Sequence, residues 1–218
     1  MFEKEKADVV RIAQKMYHCG MTNMFEGNVS VRSGDTILLT PSQQDKDTLT
    51  IEKIIEMDMD GRVKNPACGL KPSVEYRMHA RLYALRPDIR AVVHNHSAFA
   101  SAYALAGKAI ESDAHLELNL MFGKIPVVPY GMLGTEDIYR GIDPLICDYN
   151  AMLLENHGVL AVGPDATTAF SRIEAVEKIA KTLILTGLLG GEKPLPQEEL
   201  LRVREQGQKN RHTEMGKA

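Results

Sequence analysis

The stretch VVHNHS, residues 92–97, decides how the chain is read. With Ala91 it forms the apolar run AVV, a strand about to leave a core, and it ends on two imidazoles. Side chains alternate along a strand, so His94 and His96 point the same way and Asn95 points opposite. Two imidazoles at i and i+2 converge on one centre, which is the geometry of a metal-ligand pair.

Working outward, strands and helices alternate irregularly around this run. Residues 4–18, KEKADVVRIAQKMYH, repeat apolar residues at helical spacing, and Gly20 follows as a stop. GNVSVRSGDTILLT reads as two short strands joined at SGD, and IIEMDMDGRVK as a strand with a turn at Asp60–Gly61. KPSVEYRMHARLYALRP predicts a helix with Ser73 as its N-cap and Pro87 beyond its end. SAFASAYALAG predicts a small-residue helix closed by Gly107, and KIPVVPYG a short strand. NAMLLENHGVLAVG holds two apolar runs split by ENHG, a hairpin or tight bend. Asp165 caps a long amphipathic helix running to Gly187 or beyond. The expectation is one α/β domain over residues 1–218, with a central, mixed or mainly antiparallel sheet flanked by helices and a polar tail that is helical and then frays from about residue 205.

Composition narrows the function. Of 218 residues, 44% are apolar and 25% charged, ordinary for a globular protein. The net charge of −3, with no basic stripe, argues against a nucleic-acid partner. No apolar run approaches the roughly 20 residues that span a bilayer. The opening MFEKEKADVV is charged and carries no apolar signal region, so the expectation is a cytoplasmic protein. Cys19, Cys68 and Cys147 are odd in number, scattered and without a CxxC pair, and are expected to be reduced thiols. Any bound metal then falls to histidine and carboxylate.

Seven histidines occur, and a third candidate ligand among them is His157, at the bend in ENHG where Gly158 permits a turn or a close backbone approach. Glu75, near the start of the PSVE helix, is a fourth. The bland alternatives are a turn histidine bonded to its own backbone and a carboxylate placed favourably at a helix N-terminus. Three imidazoles and a carboxylate suit zinc, with manganese or cobalt also compatible. A carboxylate beside a Lewis acid is what proton abstraction next to a carbonyl, or retro-aldol cleavage, requires. Gly27 and Asn28 in EGNVSVR, Thr40 and Ser42 in TPSQ, and Ser73 offer N–H and hydroxyl groups to an anion, although these are also ordinary turn residues.

Taken in order, GNVSVR, TPS, PSVEYRMH, VVHNHS, VPYGMLGT and NHGVLAVG resemble the class II aldolase/adducin family, and within it the bacterial L-fuculose-phosphate aldolase branch. The resemblance runs from about residue 5 to residue 190. It implies a C4 homotetramer with active sites between subunits. By position His94, His96 and His157 match the three histidine ligands, and Glu75 the carboxylate that both ligates the metal and serves as acid/base. Gly27, Asn28, Ser42, Gln43 and Ser73 match the substrate-phosphate pocket. The implied reaction cleaves a ketose 1-phosphate to dihydroxyacetone phosphate and an aldehyde through a metal-stabilised enediolate.

Departures from that pattern fall at the substrate end. Val74 replaces a serine, and Gln43 stands where glycine is usual. Losing one charge-assisted hydrogen bond to phosphate costs about 1.5–3 kcal/mol. Where those aldolases send a tyrosine from the neighbouring subunit to protonate the aldehyde oxygen, this chain has His115, with Asp113 as a second candidate. The tail lacks the branch's other tyrosine. A decarboxylase of a 3-oxo or 3-hydroxy sugar acid phosphate, or a 4-epimerase, would use the same metal site. A non-enzymatic adducin-like scaffold is the reading from another class, and the filled ligand set argues against it.

Overall fold

The computed structural model describes residues 2–65, 69–132 and 135–216; Cys68, and Leu133 and Gly134 of the VPYGMLGT motif, lie outside the described residues. Seven strands form one sheet in the order β3-β2-β1-β4-β7-β6-β5. The strands are β1 (Asn28–Ser33), β2 (Thr36–Leu39), β3 (Ile55–Asp58), β4 (Ala91–Asn95), β5 (Val127–Val128), β6 (Ala151–Leu154) and β7 (Gly158–Gly163). Every pairing is antiparallel except β5 with β6. VVHNHS therefore lies at the centre: β4 sits between β1 and β7, with His94 opposite Asn28 on one side and Leu160 on the other.

Alternation sorts the strand residues onto two faces. Val29, Val31, Val93 and Ala161 bury against α1 (Glu3–His18), α3 (Ala98–Leu105) and α6 (Ala166–Leu188). Val92, Leu160 and Val162 bury with Met78, Leu82 and Tyr83 of α2 (Tyr76–Leu85) on the other. Asn28, Ser30 and His94 share the parity of this second set, so the polar residues of β1 and β4 face α2. Apolar burial on both faces, at roughly 25 cal/mol per Å² removed from water, makes the sheet rigid enough to hold side chains at its strand ends.

Local expectations mostly translate directly. Asp165 caps α6 by accepting from Thr168 N at 2.8 Å. Gly107 closes α3 in left-handed backbone. Cys19 and Cys147 are exposed free thiols. Among the described residues no helix is long and apolar enough to cross a membrane.

Three expectations need correction. The PSVE helix starts at Tyr76, because an antiparallel bridge between Pro41 and Pro72 keeps the chain extended up to Ser73. Strand β4 ends at Asn95, one residue before His96. The tail is helical as expected, but its helix α7 (Gln197–Gly216) continues past residue 205 and packs on the short helix α4 (Leu116–Met121), which the sequence reading does not anticipate, nor does it the short α5 (Asp137–Arg140). The docking face of α7 is Arg204, Gly207 and Arg211, spaced by three and four. Arg204 Nε donates to Asn119 Oδ1 at 3.0 Å, Arg211 Nη1 to Asn119 O at 3.2 Å, and a Cβ at Gly207 would overlap the Asn119 carbonyl. Leu200 is the one buried apolar side chain of α7 among the described residues, so the helix carries no apolar periodicity and hydropathy alone misses its docking.

Candidate active site

Three loops meet at one end of the sheet. The β6–β7 hairpin turns through Glu155, Asn156 and His157, with Asn156 in left-handed backbone (φ 58°). Gly158 then passes so close to β4 that a Cβ there would overlap the Asn95 carbonyl oxygen and come within 2.8 Å of the His96 ring. Of the two roles open to Gly158, the close approach is the one used, and it seats His157 against His94. On the other side Gly27, at φ 71°, leads into β1; a Cβ there would lie 2.8 Å from the His94 carbonyl oxygen.

The result is a cluster of imidazoles. Ring centroids are 4.6 Å apart for His94–His157, 4.9 Å for His96–His157 and 5.0 Å for His94–His96. One nitrogen from each lies within 4.8 Å of the other two, an arrangement that could hold a metal ion. Glu75, at 6% exposure, closes the group: Oε2 is 3.4 Å from His94 Nε2 and Oε1 is 3.5 Å from His157 Nε2. Its side chain caps no helix N–H; its oxygens meet Asn28, His94 and His157 instead.

These residues fit a divalent cation on three grounds. His94 Nδ1 donates to the Val159 carbonyl at 3.0 Å, which leaves the Nε2 lone pair aimed into the cluster. His96 Nδ1 lies 3.5 Å from Glu26 Oε2, so its Nε2 also faces inward, 3.2 Å from that of His94. Two inward lone pairs at that distance repel unless a cation or proton lies between them. Nitrogen ligands about 2.0–2.1 Å from tetrahedral zinc stand about 3.3 Å apart, and the inward nitrogens of His94 and His96 are 3.2 Å apart. Glu75 Oε1 is buried with no hydrogen-bond partner, which is costly for a carboxylate unless a cation compensates it.

Burial, reinforced by the neighbouring His96, pushes His94 down to about 3. Burial and then His94 push His157 down to about 4, with Glu75 opposing. Both rings are therefore neutral near pH 7, the protonation state in which imidazole ligates.

The anion-binding candidates are drawn together less completely. The Pro41–Pro72 bridge and a hydrogen bond from Ser42 N to the Lys71 carbonyl (2.8 Å) set the 41–43 loop beside Ser73. Buried Lys46 ties the same loop to the one before β1: its N donates to the Met24 carbonyl, and Nζ to the carbonyls of Phe25 (3.4 Å) and Gln44 (3.3 Å). Burial lowers the Lys46 pKa to about 8, with Asp45 opposing. Gln43 stands at φ 56°, a conformation that costs a side-chain-bearing residue about 1–2 kcal/mol and suits the glycine usual in the resembled branch. Thr40 drops out as an anion ligand, because it is fully buried and its hydroxyl accepts from Val29 N. Ser73 Oγ accepts from Glu75 N at 3.4 Å. Asn28 spends its carbonyl and one amide hydrogen inside the protein, leaving one hydrogen over.

His115 and Asp113 lie elsewhere within the chain. His115 is the N-cap of α4, its Nδ1 accepting from Leu118 N at 3.3 Å, and Asp113 pairs with Arg204 at 2.7 Å. None of their contacts among the described residues reaches the imidazole cluster. The sequence reading also passes over His79, Ser30, Tyr83, Lys46 and Glu26. Two signals were available for the buried set: His79 is one helical turn past Glu75, and Ser30 alternates with Asn28.

Comparison with known proteins identifies the family. Residues 7–184 match the family model described as Class II Aldolase and Adducin N-terminal domain. A 5-methylthioribulose-1-phosphate/5-deoxyribulose-1-phosphate aldolase of Rhodospirillum rubrum is 30% identical, over 90% of this chain and 88% of the relative. An L-fuculose phosphate aldolase of Methanocaldococcus jannaschii is 32% identical, over 85% of this chain and 98% of the relative. A solved L-fuculose 1-phosphate aldolase superposes with a TM-score of 0.83 at 27% identity, covering 93% of this chain and 95% of its own. With four-fifths of its length in one family model and two relatives at or above 30% identity, the chain belongs to the class II aldolase and adducin family, as an aldolase-like enzyme within it.

Proposed function

We propose that the protein is a metal-dependent aldolase that cleaves a ketose 1-phosphate to dihydroxyacetone phosphate and an aldehyde. The observation that carries this reading is Glu75: a buried carboxylate beside the imidazole cluster, with Oε2 tied by Asn28 at 2.6 Å and 3.4 Å from His94 Nε2, and Oε1 without a hydrogen-bond partner 3.5 Å from His157 Nε2. His94, His96, His157 and Glu75 would hold the cation, zinc best matching the donor set, and the cation would supply the Lewis acid that polarises the ketose carbonyl. The relatives and the solved neighbour are named as aldolases of 5-methylthioribulose 1-phosphate, 5-deoxyribulose 1-phosphate, L-fuculose phosphate and L-fuculose 1-phosphate, which supports the substrate class.

Each residue then has a task. Gly27, Asn28, Ser42, Gln43 and Ser73 seat the phosphate, and retaining Gln43 in a strained left-handed conformation is consistent with a backbone N–H that must point at the anion. Val74, 60% exposed, contributes no hydroxyl there. As the C3–C4 bond breaks, its electron pair stays with the dihydroxyacetone phosphate half, C3 gains a proton and the C4 hydroxyl loses one. Glu75 Oε1, left without a hydrogen-bond partner, would hand C3 its proton. In a C4 homotetramer, His115 from a neighbouring subunit would serve the aldehyde oxygen, with Asp113 as the alternative.

The aldehyde need not be known to test this. Zinc-loaded protein in D2O should exchange a C3 hydrogen of dihydroxyacetone phosphate, followed by NMR, and should lose the exchange on chelation and in Glu75→Gln. A panel of ketose 1-phosphates should then release aldehyde and dihydroxyacetone phosphate together. Fully loaded protein that exchanges nothing, or that releases carbon dioxide without aldehyde from sugar acid phosphates, overturns the reading.

A further inference from the structure

Behind Glu75 a buried chain of hydrogen bonds runs away from the site toward α2. Asn28 Nδ2 donates to Glu75 Oε2 at 2.6 Å, and Asn28 Oδ1 meets His79 Nε2 at 2.6 Å. His79 Nδ1 meets Ser30 Oγ at 2.6 Å, and Ser30 Oγ meets Tyr83 Oη at 2.7 Å. The four residues are no more than 3% exposed, so no solvent competes for these groups.

Chemistry allows one direction for the protons. The carboxylate only accepts, so the Asn28 amide nitrogen faces it and its carbonyl faces His79. That carbonyl needs a donor, so His79 carries its hydrogen on Nε2. Burial holds the ring in its neutral form, pushed down to about 3 despite Glu75 nearby, so Nδ1 is an acceptor. Ser30 must then donate to Nδ1, and its oxygen can only accept from Tyr83. Each bridging O–H and N–H then points toward Glu75, the Ser30 oxygen at 2.7 Å being nearer to Tyr83 Oη than the competing Arg90 carbonyl at 3.5 Å. Aligned dipoles in a water-free interior reinforce one another.

We infer that His79 is a positioning residue. Through Asn28, the aligned chain from Tyr83 holds Oε2 of Glu75 and leaves Oε1 free for chemistry. The helix makes this pairing local, since Glu75 and His79 flank one turn, while β1 supplies Asn28 and Ser30 at alternate positions on the facing strand. Ordinary support of a fold would need the groups satisfied but not aligned.

The catalytic half of this inference rests on the proposed aldolase reading, so the test carries a second readout. His79→Phe keeps the ring and removes both nitrogens, whereas His79→Gln keeps a donor toward Asn28. For His79→Phe we expect C3 exchange of dihydroxyacetone phosphate to slow about 30-fold with KM within three-fold, and zinc affinity, by chelator competition, to fall about 10–100-fold. His79→Gln should stay within about five-fold of wild type on both measures, even where its melting temperature falls as far. Wild-type exchange and zinc affinity in folded His79→Phe, or equal losses in the two variants that follow their melting temperatures, would overturn the inference. If His79→Phe does not fold, Ser30→Ala decides: about ten-fold slower exchange at unchanged KM supports the chain, and an unchanged rate refutes it. Should zinc-loaded wild type exchange nothing, the aldolase reading fails alone, and the zinc affinities still decide the positioning role.

Discussion

His79 and His94 are both fully buried, both pushed down to about 3 by burial, and both face the same side of the sheet. They differ in what their nitrogens meet. His79 has a hydrogen-bond partner at each, Asn28 and Ser30. His94 has one such partner, Val159, while its other nitrogen faces His96 and Glu75 across 3.2 and 3.4 Å. Burial and a depressed pKa therefore do not mark a ligand. An inward nitrogen with no donor to meet it does, because a folded protein otherwise satisfies its buried polar atoms.

The largest effect expected from this contrast is on metal content. His157→Ala removes an inward-facing nitrogen, and two imidazoles with one carboxylate hold zinc poorly, so the purified variant should retain less than about one-fifth of the wild-type zinc by elemental analysis. Full zinc content would break the comparison, placing His157 with His79 as a structural ring.

Next in size is the loss on chelation. At a free zinc concentration about 1,000 times Kd, binding adds about 4.1 kcal/mol, so stripping the metal should lower the melting temperature by about 8–16 °C in a chain of this length. A melting temperature indifferent to a strong chelator would mean that the cluster is satisfied without a cation.

Acid should treat the two regions alike in metal-free protein. The folded pKa values of His79, His94 and His157 lie below the ordinary 6.5. Their contribution is thus fully present above about pH 6.5 and is lost as pH falls toward 4, while the unfolded chain takes up protons the folded one refuses. Each ring adds up to about 1.4 kcal/mol per pH unit in that window. Urea unfolding between pH 4.5 and 7 should therefore show His79→Gln and His157→Ala each reducing the slope by about one proton. Added zinc should steepen it only where His157 is present, because protons compete with the metal for the ligand nitrogens. A zinc-independent slope in wild type would erase the distinction.

The smallest effect concerns a third environment. His115 is part-buried, with one nitrogen spent as a helix cap. His115→Asn keeps a capping group and should leave the melting temperature within about 2 °C, whereas His115→Phe loses about 1 kcal/mol, or about 2–4 °C. Both should slow turnover if the ring donates the proton to the aldehyde oxygen. Wild-type turnover in both would leave His115 a cap and nothing more.

Much of this was legible before folding. Short apolar runs set out β4 and β7, the strand–turn–strand pattern around SGD set out β1, Asp165 announced α6, and the ordered motifs named the four residues that meet at the site. What stayed hidden has physical reasons. Helix α7 docks on α4 through arginine and glycine and buries Leu200 as its one apolar side chain among the described residues, so it lacks the apolar signal that periodicity detects. Thr40 reads as an exposed loop hydroxyl, yet β1 takes it up to satisfy Val29 N. Ser73 reads as a helix cap, but the bridge from Pro41 to Pro72 delays the helix by a few residues and frees the Glu75 carboxylate to reach Asn28.

By itself the sequence determined which residue types were available and which strands and helices carried them, because those properties depend on neighbours a few positions away. Only the tertiary structure decided which buried histidine would be closed on both sides and which left open. That choice depends on partners 49 to 65 residues away, Ser30 and Asn28 for one ring and the Val159 carbonyl for the other. Hydrogen bonds are short-ranged and directional, so no local pattern can state where they end.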